Sequence, residues 1–215
     1  GDYFEHDVTC NSIVARPWDK PEHVHPTNFV TSQAVDFLRR RDTRKPFFLF
    51  VSYHRPHPPY DPPAWAFEQY INQAMPPVPV GTWASIFNNL AEPCNPECQV
   101  GRVAPRALHR ARAGYYGHMT HIDHQINHLL EVLADYKLIR DTYVMFTSDH
   151  GELMGDHNLF RKSMPYEGSA RIPFLFKGPF EGNIPHGLYD HPVELCDVMP
   201  TLLDCAGLPI PAGVE

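Results

Sequence analysis

The protein comprises 215 residues, a length that allows one domain with a substantial core and hardly two. Its 18 Lys and Arg residues against 25 Asp and Glu residues give a net charge of −7 at pH 7. This acidic balance argues against a general nucleic-acid-binding protein, which would carry a basic excess. Charged residues make up 20% and hydrophobic residues 43%, which argues against disorder, and no apolar run approaches the roughly 20 residues of a membrane helix. We therefore expect neither a nucleic-acid nor a membrane partner.

The proline, histidine and cysteine residues indicate loop content, possible chemistry and thiol state. The 23 prolines are about twice the ~5% norm and predict long ordered loops, while the 14 histidines point to metal or proton chemistry. Cys94 and Cys98 lie close together in a Pro-rich loop, but a zinc site would need a second pair elsewhere. This spacing favours a local disulfide or two free thiols.

The first predicted elements are a helix and a strand. Apolar residues at helical spacing predict a helix that is capped by Thr27 or Asn28 and ends near Arg41. The continuous apolar run at residues 47–53 is typical of a strand buried on both faces in a parallel sheet. This strand must end at residues 54–63, where prolines prevent helix and central strand alike.

Two further helices are predicted in the middle of the chain, at residues 64–71 and 107–136. The longer one has an apolar stripe that consists of Tyr115, Met119, Ile122, Ile126, Leu129, Leu133 and Tyr136. At 100° per residue, His121, His124 and His128 fall on the opposite face of this helix. We interpret these histidines as part of a solvated face rather than as a metal site, because no carboxylate completes an inward-pointing ligand set.

The last third of the chain repeats the alternation of strand and helix. Strands are predicted at residues 143–147 and 172–176, and a final helix begins at Asp197 and is stopped by Gly207 and Pro209. This alternation predicts an α/β fold with a largely parallel or mixed sheet flanked by helices. Ligands of such sheets lie beyond the carboxyl ends of the strands, where this sequence places clusters of Asp and His.

Asp149 and His150 stand at the end of the second predicted strand and are good ligands for a divalent metal. The next residue, Gly151, lets the backbone turn sharply. Asp-His-Gly is also compatible with an ordinary turn. Further along, Lys162 could hold an anion as a point charge, and His57, in the proline-rich loop, could donate a proton to a leaving oxygen. Each residue alone could be structural, but their convergence on one sheet edge would favour chemistry.

Several short motifs coincide with these positions. They are residues 148–152 (SDHGE), 155–157 (GDH), 162–167 (K-x-x-x-Y-E), 171–173 (RIP), 50–59 (FVSYHRPHPP) and the stretch 193–209. Together they resemble the sulfatases of the alkaline phosphatase superfamily, over most of the chain from about residue 27. The resemblance implies hydrolysis of sulfate esters by the hydrate of a formylglycine, made from a cysteine or serine, beside a divalent cation that is usually calcium.

The resemblance also assigns roles to individual residues. Asp149 and His150 match two metal ligands, Lys162 matches the lysine that binds the sulfate, and His57 matches the histidine that binds sulfate or assists the leaving group. The imidazole of His150 keeps Mn²⁺, Mg²⁺ and Zn²⁺ open beside Ca²⁺, which prefers oxygen. The expected substrate is a small-molecule or carbohydrate sulfate ester.

The family signature for the nucleophile, Cys or Ser followed by x-Pro-Ser-x-Arg or a close variant, has no match here, and the early Asp-Asp pair is missing. We therefore expect residues 1–215 to be the middle-to-late portion of one sulfatase catalytic domain. The nucleophile segment, with its formylglycine, and the C-terminal subdomain are expected outside this chain. On its own, the chain should be inactive or nearly so.

Two alternatives remain at this point. A phosphonate monoester or phosphodiester hydrolase of the same superfamily would share the metal ligands, the lysine and the histidine. A non-catalytic metal-binding fragment would keep only a vestige of the Asp-His edge. The sequence names neither the natural ester nor the oligomeric state, and both cytoplasmic and exported locations fit it.

Overall fold

The computed structural model describes residues 9–88, 97–182 and 184–214 and has a mixed α/β architecture. Its helices and strands, in chain order, are α1 Pro26–Arg40, α2 Ala64–Ile71, α3 Pro105–Asp135, β1 Val144–Thr147, α4 Glu167–Ala170, β2 Phe174–Lys177 and α5 Val198–Cys205. Short 3-10 turns lie at Glu22–Val24, Thr82–Phe87, Asp156–Asn158 and Leu195–Asp197. All four predicted helices are present within two residues of their expected ends. No described helix combines the length and apolar character that crossing a membrane requires.

Helix α1 begins earlier than its sequence predicted, because its N-cap is His25 and not Thr27 or Asn28. The Nδ1 atom of His25 accepts a hydrogen bond of 3.1 Å from the Thr27 amide, which would otherwise lack a partner in the first turn. Pro26 occupies the first helical position, where its missing N–H costs nothing. The cap places the His25 ring in the interior, with no solvent exposure.

Helix α3 is the central element, and both α1 and α2 pack against it. Two glycines allow this close approach. A Cβ atom on Gly114 would lie 2.7 Å from Cβ of Tyr60, and one on Gly117 would lie 2.9 Å from Cγ of Pro62. The segment that contains Tyr60 and Pro62 therefore lies directly on the helix backbone, and this contact fixes the end of the proline-rich loop.

The expectation of a uniformly solvated histidine face on α3 is wrong for His121. His124 and His128 are exposed, as expected, but His121 is fully buried together with His118, one turn earlier. The physical reason is that a helix packed on two sides buries more than one stripe. Here the second buried stripe faces the beginning of α1 and the end of the proline-rich loop.

Of the two arrangements expected, largely parallel or mixed, the described strands fit the mixed one. Strands β1 and β2 pair antiparallel, with Val144 opposite Lys177 and Thr147 opposite Phe174. Residues 47–53, expected as a strand buried on both faces, are not in a ladder in the part of the chain that the structure describes. Phe48 and Phe50 are 73% and 80% exposed, whereas the alternate residues 47, 49, 51 and 53 are half-buried. The segment thus has one covered side and one open side.

The main hydrophobic core lies between α3, α2 and the loops on either side of α3. It contains Ile13, Ala15, Tyr60, Phe67, Cys98, Ala111, Ala113, Met154 and Phe160. Cys98 is a buried free thiol, while Cys94 lies outside the described residues. The core therefore holds the proline-rich loop and the segment after β1 against the same helix, which brings the predicted site residues towards each other.

Candidate active site

His57 and His150 converge although 93 positions separate them in the sequence. Their ring centroids lie 6.5 Å apart, and the His54 ring lies 4.7 Å from that of His57. His57 belongs to the loop after residues 47–53, and His150 follows β1 directly. The two loop ends therefore meet at one edge of the fold.

A buried ion pair closes the loop that carries His57. Nε and Nη2 of Arg55 donate to the two carboxylate oxygens of Asp61 at 2.6 and 2.7 Å, and both side chains are at most 1% exposed. Burial alone would raise the pKa of the Asp61 carboxyl. Hydrogen bonds from His118 and Arg55 nevertheless hold this pKa well below its usual range, so Asp61 is ionised. The pair anchors both ends of this loop, while the ring of His57 stays accessible.

The His57 ring has a defined tautomer. Its Nδ1 lies 2.9 Å from the carbonyl oxygen of Pro58, which can only accept, so Nδ1 carries the proton. Nε2 is then the atom that can bind an anion when protonated. Burial lowers the pKa of His57, and the charges of Lys162 and His150 act in the same direction, against the bond to Pro58. A bound anion would offset that positive surrounding and favour the imidazolium.

Asp149 and His150 each direct one acceptor atom towards the other: a carboxylate oxygen and a ring nitrogen. Nδ1 of His150 donates to the Gly151 carbonyl at 2.8 Å, which leaves a lone pair on Nε2 in the neutral ring. That Nε2 lies 3.5 Å from Oδ2 of Asp149, whose side chain is 84% exposed. Two facing lone pairs repel unless a cation or proton lies between them. The donor set therefore fits a divalent cation, for which this chain offers one oxygen and one nitrogen.

Burial has the largest effect on the pKa of His54, His57 and Glu152, lowering it for the two histidines and raising it for the glutamate. Lys162 lies close enough for its charge to act on all three, in the direction of a lower pKa. Its ammonium has no hydrogen bond or ion pair to the described residues. Its immediate neighbour, Arg161, is instead buried and donates to the carbonyl oxygens of Asn11 and Glu97. The ammonium of Lys162 is thus available to an anion, while the chain beside it is held firmly.

Glu152 was not singled out in the sequence, but it supports the site. Burial raises its pKa, and the amides of Arg161 and Met154 donate to its carboxylate. These bonds tie the segment after β1 to the segment that carries Lys162. The only sequence signal was its place two residues after His150. This position does not tell whether the carboxylate is buried and hydrogen-bonded or exposed on the surface.

Gly151 has a different role from the sharp turn that the sequence suggested. Its φ is not among the positive values of the chain, so the backbone conformation alone does not require glycine. A Cβ atom there would instead lie 2.2 Å from the carbonyl oxygen of Gly168. The Gly151 amide donates to the Ser169 carbonyl at 2.8 Å. Glycine is needed because the backbone of α4, which precedes β2, lies directly against this position.

A second group of chemically active side chains lies in the interior. One ring nitrogen from each of His25, His118 and His121 lies within 4.8 Å of the others, a geometry that could hold a metal ion. The sequence analysis missed His25 and His118 and assigned His121 to solvent. The spacing of three between His118 and His121 places them on one helix face, but pairing them with His25 requires the tertiary packing of α1 on α3.

Comparison with known proteins agrees with this architecture. The family-wide sequence profile described as "Sulfatase" matches residues 2–208. An arylsulfatase of Clostridium perfringens is 47% identical over 100% of this chain and 45% of its own length. A choline-sulfatase of Rhizobium meliloti is 28% identical over 96% of this chain and 41% of its own length. A phosphonate monoester hydrolase structure from Silicibacter pomeroyi superimposes with a TM-score of 0.74 at 25% identity, over 99% of this chain and 47% of its own.

The mixed α/β fold and the Asp-His edge after β1 define a member of the alkaline phosphatase superfamily. Within it, the chain belongs to the sulfatase family. The chain spans less than half the length of the relatives that it matches.

Proposed function

We propose that the natural protein hydrolyses sulfuric esters, and that this chain supplies the groups that bind the sulfate and part of the metal site. The observation that carries the proposal is the approach of His57 to His150, 6.5 Å apart, beside the ammonium of Lys162, which has no partner among the described residues. The 47% identity to an arylsulfatase over the whole chain supports the same reaction class.

Asp149 and His150 would hold the divalent cation, since their facing acceptors at 3.5 Å fit one. The mixed oxygen and nitrogen donors suit Mn²⁺ or Zn²⁺ better than Ca²⁺ or Mg²⁺, which prefer oxygen, although calcium is the usual ion of the family. Such a cation, when bound, polarises the oxygens of the sulfuryl group. The remaining ligands would come from residues outside this chain.

Lys162 and His57 would divide the work on the ester. The ammonium of Lys162 stabilises negative charge on the sulfuryl oxygens and on the leaving oxygen, because it is a compact charge with no competing partner among the described residues. Nε2 of His57, fixed by the bond from Nδ1 to Pro58, binds the sulfate or protonates the leaving group. A bound anion raises the pKa of His57 and so makes this proton available.

The nucleophile, a formylglycine in this family, would be supplied from outside residues 1–215, which would form the middle-to-late part of the catalytic domain. Two observations support this division. The chain spans 45% of the arylsulfatase that it matches. The extended segment at residues 47–53 also leaves Phe48 and Phe50 more than 70% exposed, as expected of a strand whose neighbours belong to another part of the domain.

The substrate would be a small-molecule or carbohydrate sulfate ester. A second candidate is hydrolysis of phosphonate monoesters, because the hydrolase structure from Silicibacter pomeroyi covers 99% of this chain with a TM-score of 0.74. Both reactions act on an anionic tetrahedral group and use a metal, a lysine and a histidine. The geometry of His57, Asp149, His150 and Lys162 therefore does not distinguish them.

The test compares hydrolysis of p-nitrophenyl sulfate and an aryl phosphonate monoester by the natural full-length protein and by residues 1–215. The full-length protein should hydrolyse the sulfate faster, and Lys162→Ala should lower kcat/KM by about 100-fold or more. Lys45→Ala, which removes an exposed ammonium elsewhere, serves as the matched control. Residues 1–215 alone should show no turnover above that of their own Lys162→Ala variant.

Each possible contrary result has a defined meaning. Faster hydrolysis of the phosphonate would favour the second candidate. Turnover by residues 1–215 that is sensitive to Lys162→Ala would overturn the assignment of the nucleophile to another segment. Full activity of the Lys162→Ala variant of the natural protein would overturn the proposed role of this lysine.

A further inference from the structure

The cluster of His25, His118 and His121 is separate from the candidate active site and contains unpaired polar atoms. All three side chains have no solvent exposure. Neither nitrogen of His121 nor Nδ1 of His118 has a hydrogen-bond partner in the part of the chain that the structure describes. Buried polar atoms without partners are costly and uncommon in folded proteins. Three such atoms in one cluster point to a missing partner.

The surroundings of His118 orient it as a metal ligand. Its Nε2 lies 3.1 Å from Oδ1 of Asp61, the carboxylate that Arg55 holds. The same Nε2 accepts from the Asp61 amide at 2.9 Å and lies 3.2 Å from the Pro59 carbonyl oxygen. Binding of a metal through the buried Nδ1 therefore requires the tautomer with the proton on Nε2, which donates to the Asp61 carboxylate or the Pro59 carbonyl and gives up the bond from the amide. A histidine that donates to a carboxylate through one nitrogen and binds a metal through the other is a common arrangement in metal sites.

His121 has a comparable neighbour. Its Nε2 lies 3.5 Å from Oε1 of Glu22, whose other oxygen accepts from the indole of Trp65 at 2.9 Å. The Trp65 ring itself lies 6.2 Å from the His121 ring, and the Trp18 ring packs edge-on against His25 at 4.9 Å. The cluster therefore has aromatic walls. The carboxylate of Asp61 lies next to His118, and that of Glu22 lies next to His121.

His25 would bind through Nε2, since its Nδ1 caps α1 by accepting from Thr27. Nε2 now lies 3.3 Å from the Asp61 carbonyl oxygen, a long hydrogen bond. Ligation through Nε2 would move the ring proton from Nε2 to Nδ1, so His25 would lose both this bond and the cap of α1. A helix cap is worth much less than a structural zinc site, so this cost does not prevent binding.

The donor set selects the metal. Three imidazoles suit Zn²⁺, whereas Ca²⁺ and Mg²⁺ require oxygen ligands. Ligands of a tetrahedral zinc lie roughly 3.3 Å apart, so nitrogens now within 4.8 Å of one another must close by about 1 to 1.5 Å through ring movement. The rings are in the required neutral form at pH 7, because burial lowers the pKa of His25 to about 3 and that of His121 to about 4.

We propose that His25, His118 and His121 form a second, structural zinc site. The ion would join the start of α1 to α3. Through Asp61 and Arg55, it would also stiffen the loop that carries His57, whose neighbour His54 lies 2.8 Å from Nη1 of Arg55. The site needs no residue of the candidate active site and stands independently of the proposed reaction.

The test uses the chain without a histidine tag, stripped of metal and reconstituted with Zn²⁺ or Co²⁺. We expect one zinc per chain after gel filtration and, with Co²⁺, the visible absorption of a four-coordinate ion. His121→Gln should weaken zinc binding by about 100-fold or more. His124→Gln, three residues further on the exposed face of α3, should leave it unchanged, and so should Asp149→Ala at the other proposed metal site.

X-ray absorption at the zinc edge of the wild-type chain provides a measurement that no variant can confound by failing to fold. It should show nitrogen-rich ligation at about 2.0 Å with the outer-shell pattern of at least two imidazoles. Zinc content on the order of 0.1 per chain or less in folded, reconstituted protein would overturn the proposal. So would zinc that is retained in the His121→Gln variant, or a first shell without imidazole.

Discussion

The Arg55 guanidinium and the Asp61 carboxylate form a bidentate, fully buried ion pair that links two clusters of histidines. Nη1 of Arg55 contacts His54 at 2.8 Å on the side of the candidate active site. Asp61 contacts His118 at 3.1 Å on the side of the interior cluster. The five residues between the pair, 56–60, include His57. The position of this histidine therefore depends on groups that never touch a substrate.

Removal of one partner of this pair should be strongly destabilising. Asp61→Asn leaves a guanidinium in the interior without its counter-charge, and the free energy of unfolding should fall by about 3–5 kcal/mol. Urea denaturation followed by tryptophan fluorescence measures this change. Asp42→Asn breaks an exposed pair with Arg44 and should leave the midpoint unchanged. A wild-type midpoint for Asp61→Asn would show that the pair does not hold the loop.

The helices could be predicted from the sequence because their signals are local. Apolar residues at helical spacing and Gly207 after α5 act within a few residues of the boundary that they define. Pro105, at the first position of α3, is a signal of the same kind that the expected start at residue 107 did not use. The cap of α1 was wrong because histidine is not among the usual capping residues, and because His25 caps only in combination with its burial against α3.

Pairwise contacts between distant segments could not be predicted in the same way. The sequence placed Asp and His at two strand ends, and their shared edge followed from the general geometry of α/β folds. The burial of His121 and its approach to His25 depend on which side of α3 receives α1, which no local pattern encodes. The antiparallel pairing of β1 and β2 likewise depends on chain direction and not on the apolar runs that predicted both strands.

Replacement of Gly117 by alanine tests the close contact between α3 and the loop end. In an isolated helix, Gly→Ala is favourable by about 1 kcal/mol. Here the new Cβ would lie 2.9 Å from Cγ of Pro62 and 3.2 Å from the Phe67 amide nitrogen, part of a backbone that cannot easily move. Gly117→Ala should therefore destabilise the chain by about 1–3 kcal/mol in urea denaturation. Asp123→Ala, at an exposed position of α3, should be neutral or stabilising. Stabilisation by Gly117→Ala would contradict the tight packing.

The interior histidines should make the metal-free chain sensitive to mild acid. Their pKa in the unfolded chain is near 6.5, whereas burial lowers that of His25 to about 3 and that of His121 to about 4. Between these values only the unfolded chain takes up protons. Stability should therefore be unaffected above pH 6.5 and fall as the pH decreases towards 4. Each histidine contributes about 1.4 kcal/mol per pH unit.

The dependence of stability on pH is measured by denaturant midpoints in the presence of a chelator, at roughly one-unit steps of pH 7.5, 6.5, 5.5 and 4.5. His121→Gln should give a shallower slope than wild type, whereas His124→Gln should not. Asp61 acts in a lower range, because its depressed pKa costs stability only below its ordinary value of 3.8. Midpoints that do not change between pH 6.5 and 4.5 would contradict the burial of neutral histidines.

The facing acceptors of Asp149 and His150 predict a weak cation site in the chain by itself. Two donors from one segment should bind Mn²⁺ saturably, since the cation relieves the repulsion between Oδ2 and Nε2 at 3.5 Å. Asp149→Ala removes the only carboxylate of the pair and should lower Mn²⁺ affinity by at least about tenfold, as measured by the electron spin resonance of free Mn²⁺. Asp204→Ala, which removes an exposed carboxylate on α5, is the matched control, and His121→Gln separates this site from the interior one. Equal Mn²⁺ binding by the wild type and the Asp149→Ala variant would mean that the Asp149 carboxylate is an ordinary turn residue and not a ligand.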